Sequence, residues 1–142
     1  MYTRLAALAA AAALWTQPMA AEPYTLFIYE DPGQIALRSL ADGAGADYWS
    51  EYEAYGAELA AAGVLRSGSA LTTGDAVAVV GAGPRADGVV GASLRSGLPL
   101  GGYFQIDVAS DGDAIAWARK VPAAGLGMVE VRAGYPVPGM SM

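Results

Sequence analysis

The sequence predicts an α+β domain on a split β-α-β plan, with a hairpin inserted between its two halves. Three observations carry that class. The block from Gly101 to Arg132 reads as strand, capped helix and strand. Tyr24 to Tyr29 is a continuous aromatic and β-branched run of strand length. Between them, Tyr48, Tyr52, Tyr55 and Leu59 recur at offsets of four, seven and eleven, which makes one stripe of an amphipathic helix.

Taken in order, the chain opens with Arg4, an apolar run from Leu5 to Trp15 and a small-residue exit at Met19-Ala20-Ala21. That is the pattern of a secretory signal peptide over residues 1–21, cleaved after Ala21 or, alternatively, after Ala20. An uncleaved anchor is the competing reading, but the run is short of the roughly 20 apolar residues that a span needs. The expected mature protein is a domain over 22–134 with a loose tail over 135–142, secreted or periplasmic, with no stable membrane anchor.

The first strand, 24–29, ends in turn chemistry at Glu30-Asp31-Pro32-Gly33, and Gln34 to Gly45 reads as a loop with a short helical turn. A helix is expected over 47–62, closed by Gly63, with its tyrosines packed on a sheet. Further strands are expected at 64–71, 76–80 and 86–91, then an exposed loop over 92–99. In the strand 103–108, Phe104, Ile106 and Val108 share one face, and Tyr103, Gln105 and Asp107 the other. Ser110 and Asp113 fit a capping box for a helix that buries Ile115, Ala118 and Val121, carries Arg119 and Lys120 in its last turn, and stops at Pro122. Met128 to Arg132 closes the sheet, giving the order β-α-β-β-β-β-α-β.

Composition narrows the function. The chain has 8 basic and 14 acidic residues and a net charge of −6. Loss of Arg4 with the leader makes the mature protein more acidic still, which argues against nucleic acid and against anionic membrane surfaces. There is no Cys, hence no disulfide frame and no thiolate nucleophile. There is no His, hence neither the commonest general base nor the commonest metal ligand. The serines therefore lack the base of a hydrolase. Gly81-Ala82-Gly83-Pro84 does not make a phosphate loop, because Pro84 lacks the amide that would hold phosphate. No cofactor or metal is expected.

Several segments resemble the YCII-related domain family, in its DGPF-type branch. They are Leu26-Phe27-Ile28-Tyr29, Tyr55-Gly56 with Glu58-Leu59, Ala61-Ala62-Gly63-Val64-Leu65, Gly68-Ser69-Ala70-Leu71 and the block from Leu100 through Val129-Glu130-Val131-Arg132. The signature tetrad itself is degenerate: its positions hold Val90, Gly91, Ala92 and Ser93, and Asp87-Gly88 restores the acid only with a shift of three residues. The resemblance implies a ferredoxin-like fold that dimerises sheet against sheet into an α/β barrel, hence a homodimer. The family's broader members carry a His and Asp pair, and this chain has no His.

Candidate ligand-binding residues are Tyr29, Glu30, Asp87, Tyr103, Gln105 and Asp107. On the ferredoxin-like plan, Tyr103, Gln105, Asp107 and Tyr29 face the barrel side, where they line a pocket for a small molecule or meet a partner without covalent catalysis. The alternative is a weak lyase, isomerase or hydrolase, with Glu30, Asp107 or Asp87 as base and Tyr103 or Tyr55 as acid. A third reading is an interaction module whose sheet face serves dimerisation alone. Glu30 and Asp31 are adjacent on an extended chain and point to opposite faces, so they do not share a ligand, and Asp31 reads as a turn former. Glu130 with Arg132 reads as a surface ion pair.

Overall fold

The computed structural model describes residues 20–73, 94–95 and 97–139. The order is β1 (Glu22–Tyr29), α1 (Pro32–Leu37), α2 (Gly43–Ala61), β2 (Leu65–Ala70), β3 (Leu94–Arg95), β4 (Leu98–Val108), α3 (Asp111–Ala118), a 3-10 turn (Pro122–Gly125) and β5 (Met128–Ala133). The sheet is open and antiparallel in the order β2-β4-β1-β5, with β3 paired to the start of β4. This is an α+β fold compatible with a ferredoxin-like plan, in which each helix connects two strands that are not neighbours. The expected strands at 76–80 and 86–91, candidate Asp87 and leader residues 1–19 lie outside the described residues.

Alternation fixes the faces. Tyr24, Leu26 and Ile28 of β1 are buried, as are Ile106 and Val108 of β4, and all five join Tyr55 and Leu59 of α2 and Ala114 and Ala118 of α3 in one core. Both long helices thus cover the same face of the sheet. Phe104 packs against this core with its ring edge-on to Tyr55, centroids 5.1 Å apart.

Several expectations need correction. The stretch after β1 is not a plain turn. Asp31 caps α1, its Oδ1 accepting from the Gln34 amide at 2.7 Å while the Gln34 side chain accepts from the Asp31 amide, with Pro32 opening the helix. Residues 98–99 are not loop but the start of β4, and 94–95 pair with them. Helix α3 is shorter than expected and buries Ala114 and Ala118, four residues apart, so Ile115 is rotated off that stripe and is 43% exposed. Arg119 is its C-cap and Lys120 lies beyond it, where Lys120 pairs with Glu58 and sits 4.6 Å from the Trp117 ring centre.

One irregularity positions the site. Ile28 pairs with Gly102 and Tyr29 with Leu100, so Gly101 is an extra residue in β4 and forms a bulge beside the end of β1.

Candidate functional site

The burial alternation of β1 continues one residue past the strand. Glu30 therefore points to the helix-covered side and is fully buried. A carboxylate removed from water needs compensating donors. Three are supplied by residues close in sequence. Arg38, at the end of α1, forms an ion pair with Glu30 Oε2. Tyr48 and Tyr52, one turn apart on α2, both donate to Oε1, Tyr52 at 3.0 Å. The short α1 brings Arg38 back over the strand end, and the stripe of α2 aims both hydroxyls at one atom.

Arg38 is itself almost fully engaged. Its Nε donates to the Tyr48 hydroxyl at 3.0 Å, one terminal nitrogen donates to the Leu71 carbonyl at 2.8 Å, and the other donates to the Gly101 carbonyl at 2.6 Å as well as to Glu30. Trp49 covers the guanidinium from one side, 5.9 Å from ring centre to Cζ, and donates from its indole to the Arg38 carbonyl at 3.3 Å. Among the described residues no buried polar side-chain atom lacks a partner.

The paired glycines are explained by this network. A Cβ on Gly101 would collide with the Glu30 carboxylate and come within 2.6 Å of Arg38 Nη2, and one on Gly102 would come within 2.7 Å of the Ser69 carbonyl oxygen. Gly68 likewise makes room for the Phe104 ring, since its Cβ would lie 2.6 Å from Cδ1. Bare backbone at these positions leaves a cavity of about 190 Å³ between sheet and α2. Ile28, Trp49 and Phe104 form its apolar walls, Tyr48, Tyr52 and Arg38 its polar wall, and the backbone of residues 68–70 and 101–102 its remaining side.

Burial and the neighbouring Glu30 carboxylate hold both tyrosines in the neutral form. The Tyr48 phenol is pushed up to about 12, chiefly by burial and then by its hydrogen bond to Glu30, and Tyr52 is raised further by burial and the Glu30 charge. Tyr55 is raised too, mainly by burial, and donates to the Trp117 carbonyl at 3.1 Å.

The sequence candidates divide between two places. Glu30 does not line the cavity but lies behind its polar wall, bonded to Arg38, Tyr48 and Tyr52, which do. Tyr29, Tyr103, Gln105 and Asp107 lie on the opposite sheet face, which no helix among the described residues covers. There Tyr103 pairs with Phe27, Gln105 with Thr25 and Asp107 with Pro23 in the ladder. Gln105 accepts from the Ser67 hydroxyl at 2.8 Å, and Asp107 meets Arg66 at 3.3 Å. Glu130 and Arg132 form the expected ion pair on the same face. Sequence reasoning missed Arg38, Tyr48 and Tyr52 as partners of Glu30. The signal for Arg38 was the cap-Pro-Gly-Gln start of α1, which turns the chain back on the strand that it has just left.

The chain matches no family model and no curated protein. Among the described residues no helix is long and apolar enough to cross a membrane, and no group of three or more acidic side chains is placed to hold a metal ion.

Proposed function

We propose that this chain is an exported, dimeric domain of the YCII-related type that binds a small molecule and performs no covalent catalysis. The observation that carries binding is the cavity beside Glu30, whose polar wall is already satisfied and whose other walls are aromatic, aliphatic or bare backbone. Such a wall is preorganised: a ligand entering it need not displace an internal hydrogen bond.

The YCII-related assignment rests on the resemblance of the segments around β1, α2 and β4–β5, and the strand order is compatible with it. In that plan a second copy covers the open sheet face. Phe27, Tyr29, Tyr103 and Met128 stand on that face, with Thr25, Gln105, Asp107, Glu130 and Arg132 around them. The dimer gives the open face a purpose, with Tyr103, Gln105 and Asp107 at its seam or lining a second, barrel-side pocket. Export rests on the leader pattern over 1–21.

A thermal-shift screen of the protein against a broad metabolite and metal panel tests binding. A ligand at a hundred times its Kd adds about 2.7 kcal/mol of stability, and the increment should fall to about half of that in Trp49→Ala. No shift with any compound refutes a binding function. Sedimentation equilibrium tests the dimer: the expected mass is twice that of one chain, and Tyr103→Asp should return it to one.

One observation favours a second reading, proton transfer by a carboxylate–tyrosine pair, because Glu30 is buried between two tyrosines. Against it, both Glu30 oxygens are already occupied by donors, and phenols with raised pKa values give up their protons less readily than an ordinary tyrosine. Turnover of any screened ligand that is lost in Glu30→Gln, with binding retained, would decide for this reading.

A further inference from the structure

We infer that the cavity between α2 and the sheet selects a neutral, single-ring aromatic molecule; this rests on the binding function proposed above and names the ligand class. Size comes first. The space is about 190 Å³, and an apolar protein cavity of roughly 150 Å³ is enough to take benzene. One ring with a small substituent fills that space, and a fused or linked pair of rings would have to extend out through its open side.

Shape and chemistry of the walls point to a flat apolar body. Trp49 and Phe104 contribute ring surface, Ile28 a branched aliphatic end, and Gly68 and Gly102 expose backbone that a side chain would otherwise cover. A planar ring can approach such backbone closely, and it gains offset or edge contacts with the neighbouring aromatics.

Charge is decided by the polar wall. Four aromatic rings (Tyr48, Trp49, Tyr52 and Phe104) around one space would suit a cation, but Glu30, the one carboxylate behind them, is already paired with Arg38, so the wall offers a cation no free countercharge. Arg38 does not serve an anion either. Three of its nitrogens are spent on Glu30, Tyr48, Leu71 and Gly101, and an anion would have to displace the carboxylate that neutralises it. A charged ligand of either sign would thus be desolvated without a free partner. What remains to a ligand is the Tyr52 oxygen, which donates to Glu30 and keeps acceptor capacity, so a single hydroxyl or N–H on the ring has a place to donate.

The test is calorimetric titration of the full chain with three probes of one size: benzyl alcohol, benzoate and benzylammonium. Benzyl alcohol is expected to bind, at least roughly tenfold more tightly than either ion, and to lose roughly tenfold in Trp49→Ala, whose side chain is already 37% exposed and lies outside the buried core. Binding of benzoate or benzylammonium as tightly as the alcohol overturns the ligand class while leaving a binding function in place. So does a larger compound from the broad panel that binds in a Trp49-dependent way when none of the three probes does. Silence from the probes and from the whole panel overturns the binding function itself.

Discussion

On the helix-covered face of the sheet, Glu30 meets Arg38 with no solvent on the carboxylate. On the open face, Asp107 meets Arg66 at 3.3 Å, with about a third of each side chain exposed, 34% and 36%. Both are carboxylate–guanidinium pairs, yet they differ in what their loss would do. An exposed pair trades water for a weak, screened attraction and contributes ~0–1 kcal/mol. A buried pair is held by its surroundings: each member is costly to leave alone, although the pair as a whole need not add stability. Burial therefore makes Glu30 dependent on Arg38, Tyr48, Tyr52 and the missing side chain of Gly101.

The most direct way to break this comparison is Arg38→Ala. Glu30 would then be buried without its countercharge, and urea unfolding should report a loss of ~3–5 kcal/mol. If the loss is no larger than that for Arg66→Ala, Glu30 is hydrated in solution and the contrast between the faces is void. The double variant Glu30→Leu with Arg38→Met should recover most of the loss, because no uncompensated charge remains.

Alkaline pH probes the same contrast without mutation. Tyr48 is raised from 10 to about 12 in the folded protein. The unfolded chain thus releases its phenolic proton first. The stabilising contribution is complete below pH 10 and is lost as the pH rises through about 12. For Tyr48 alone this amounts to ~1–2 kcal/mol across that window once solvent screening is allowed for, with Tyr52 and Tyr55 adding in the same direction. The melting temperature should fall steeply between pH 10 and 12, and Tyr48→Phe should fall less steeply. Parallel curves for the two proteins would mean that Tyr48 ionises in the folded state as easily as in the unfolded one.

A smaller effect is expected from Gly101→Ala. The new methyl would press on Glu30 and Arg38, and overpacking of this kind costs ~1–3 kcal/mol. In the Arg38→Ala background the same substitution should cost less, because Arg38 Nη2 is one of the atoms that it meets. Additive losses would show that Gly101 is required by the strand and not by the network.

The sequence made one of these faces easier to read than the other. Alternation in β1 and β4 and the tyrosine stripe of α2 predict which residues face the helices, because strand and helix periods are set by backbone geometry. Register is not written in that way. Nothing in Leu100-Gly101-Gly102 announces that one glycine is surplus to the ladder, and the bulge is visible only beside Glu30 and Arg38. The cap at Asp31-Pro32-Gly33-Gln34 was legible in principle, and it passes for a turn because both begin with the same residues. Tyr48 and Tyr52 fall on the core stripe like Tyr55, but Tyr55 lies over Phe104, whereas the other two lie over the strand end where Glu30 emerges. A helix stripe shows which face is covered and not which atom waits there.

The least effect is expected on the open face, and it sharpens the comparison most because it separates the roles of that face. Asp107→Asn removes the charge that meets Arg66 and should change the stability of the isolated protomer by less than ~1 kcal/mol. If a second copy covers this face, the same substitution acts on a desolvated seam instead, and the cost reappears in the monomer–dimer equilibrium rather than in the unfolding of the protomer. Sedimentation equilibrium and urea unfolding of one variant therefore read the two contributions independently. A shifted dimer equilibrium with unchanged protomer unfolding assigns Asp107 to an interface. No change in either leaves it a solvated ion pair, the exposed counterpart of Glu30 and Arg38. A loss of ~3 kcal/mol in the protomer would contradict the difference between the faces altogether, because an exposed pair cannot carry that much.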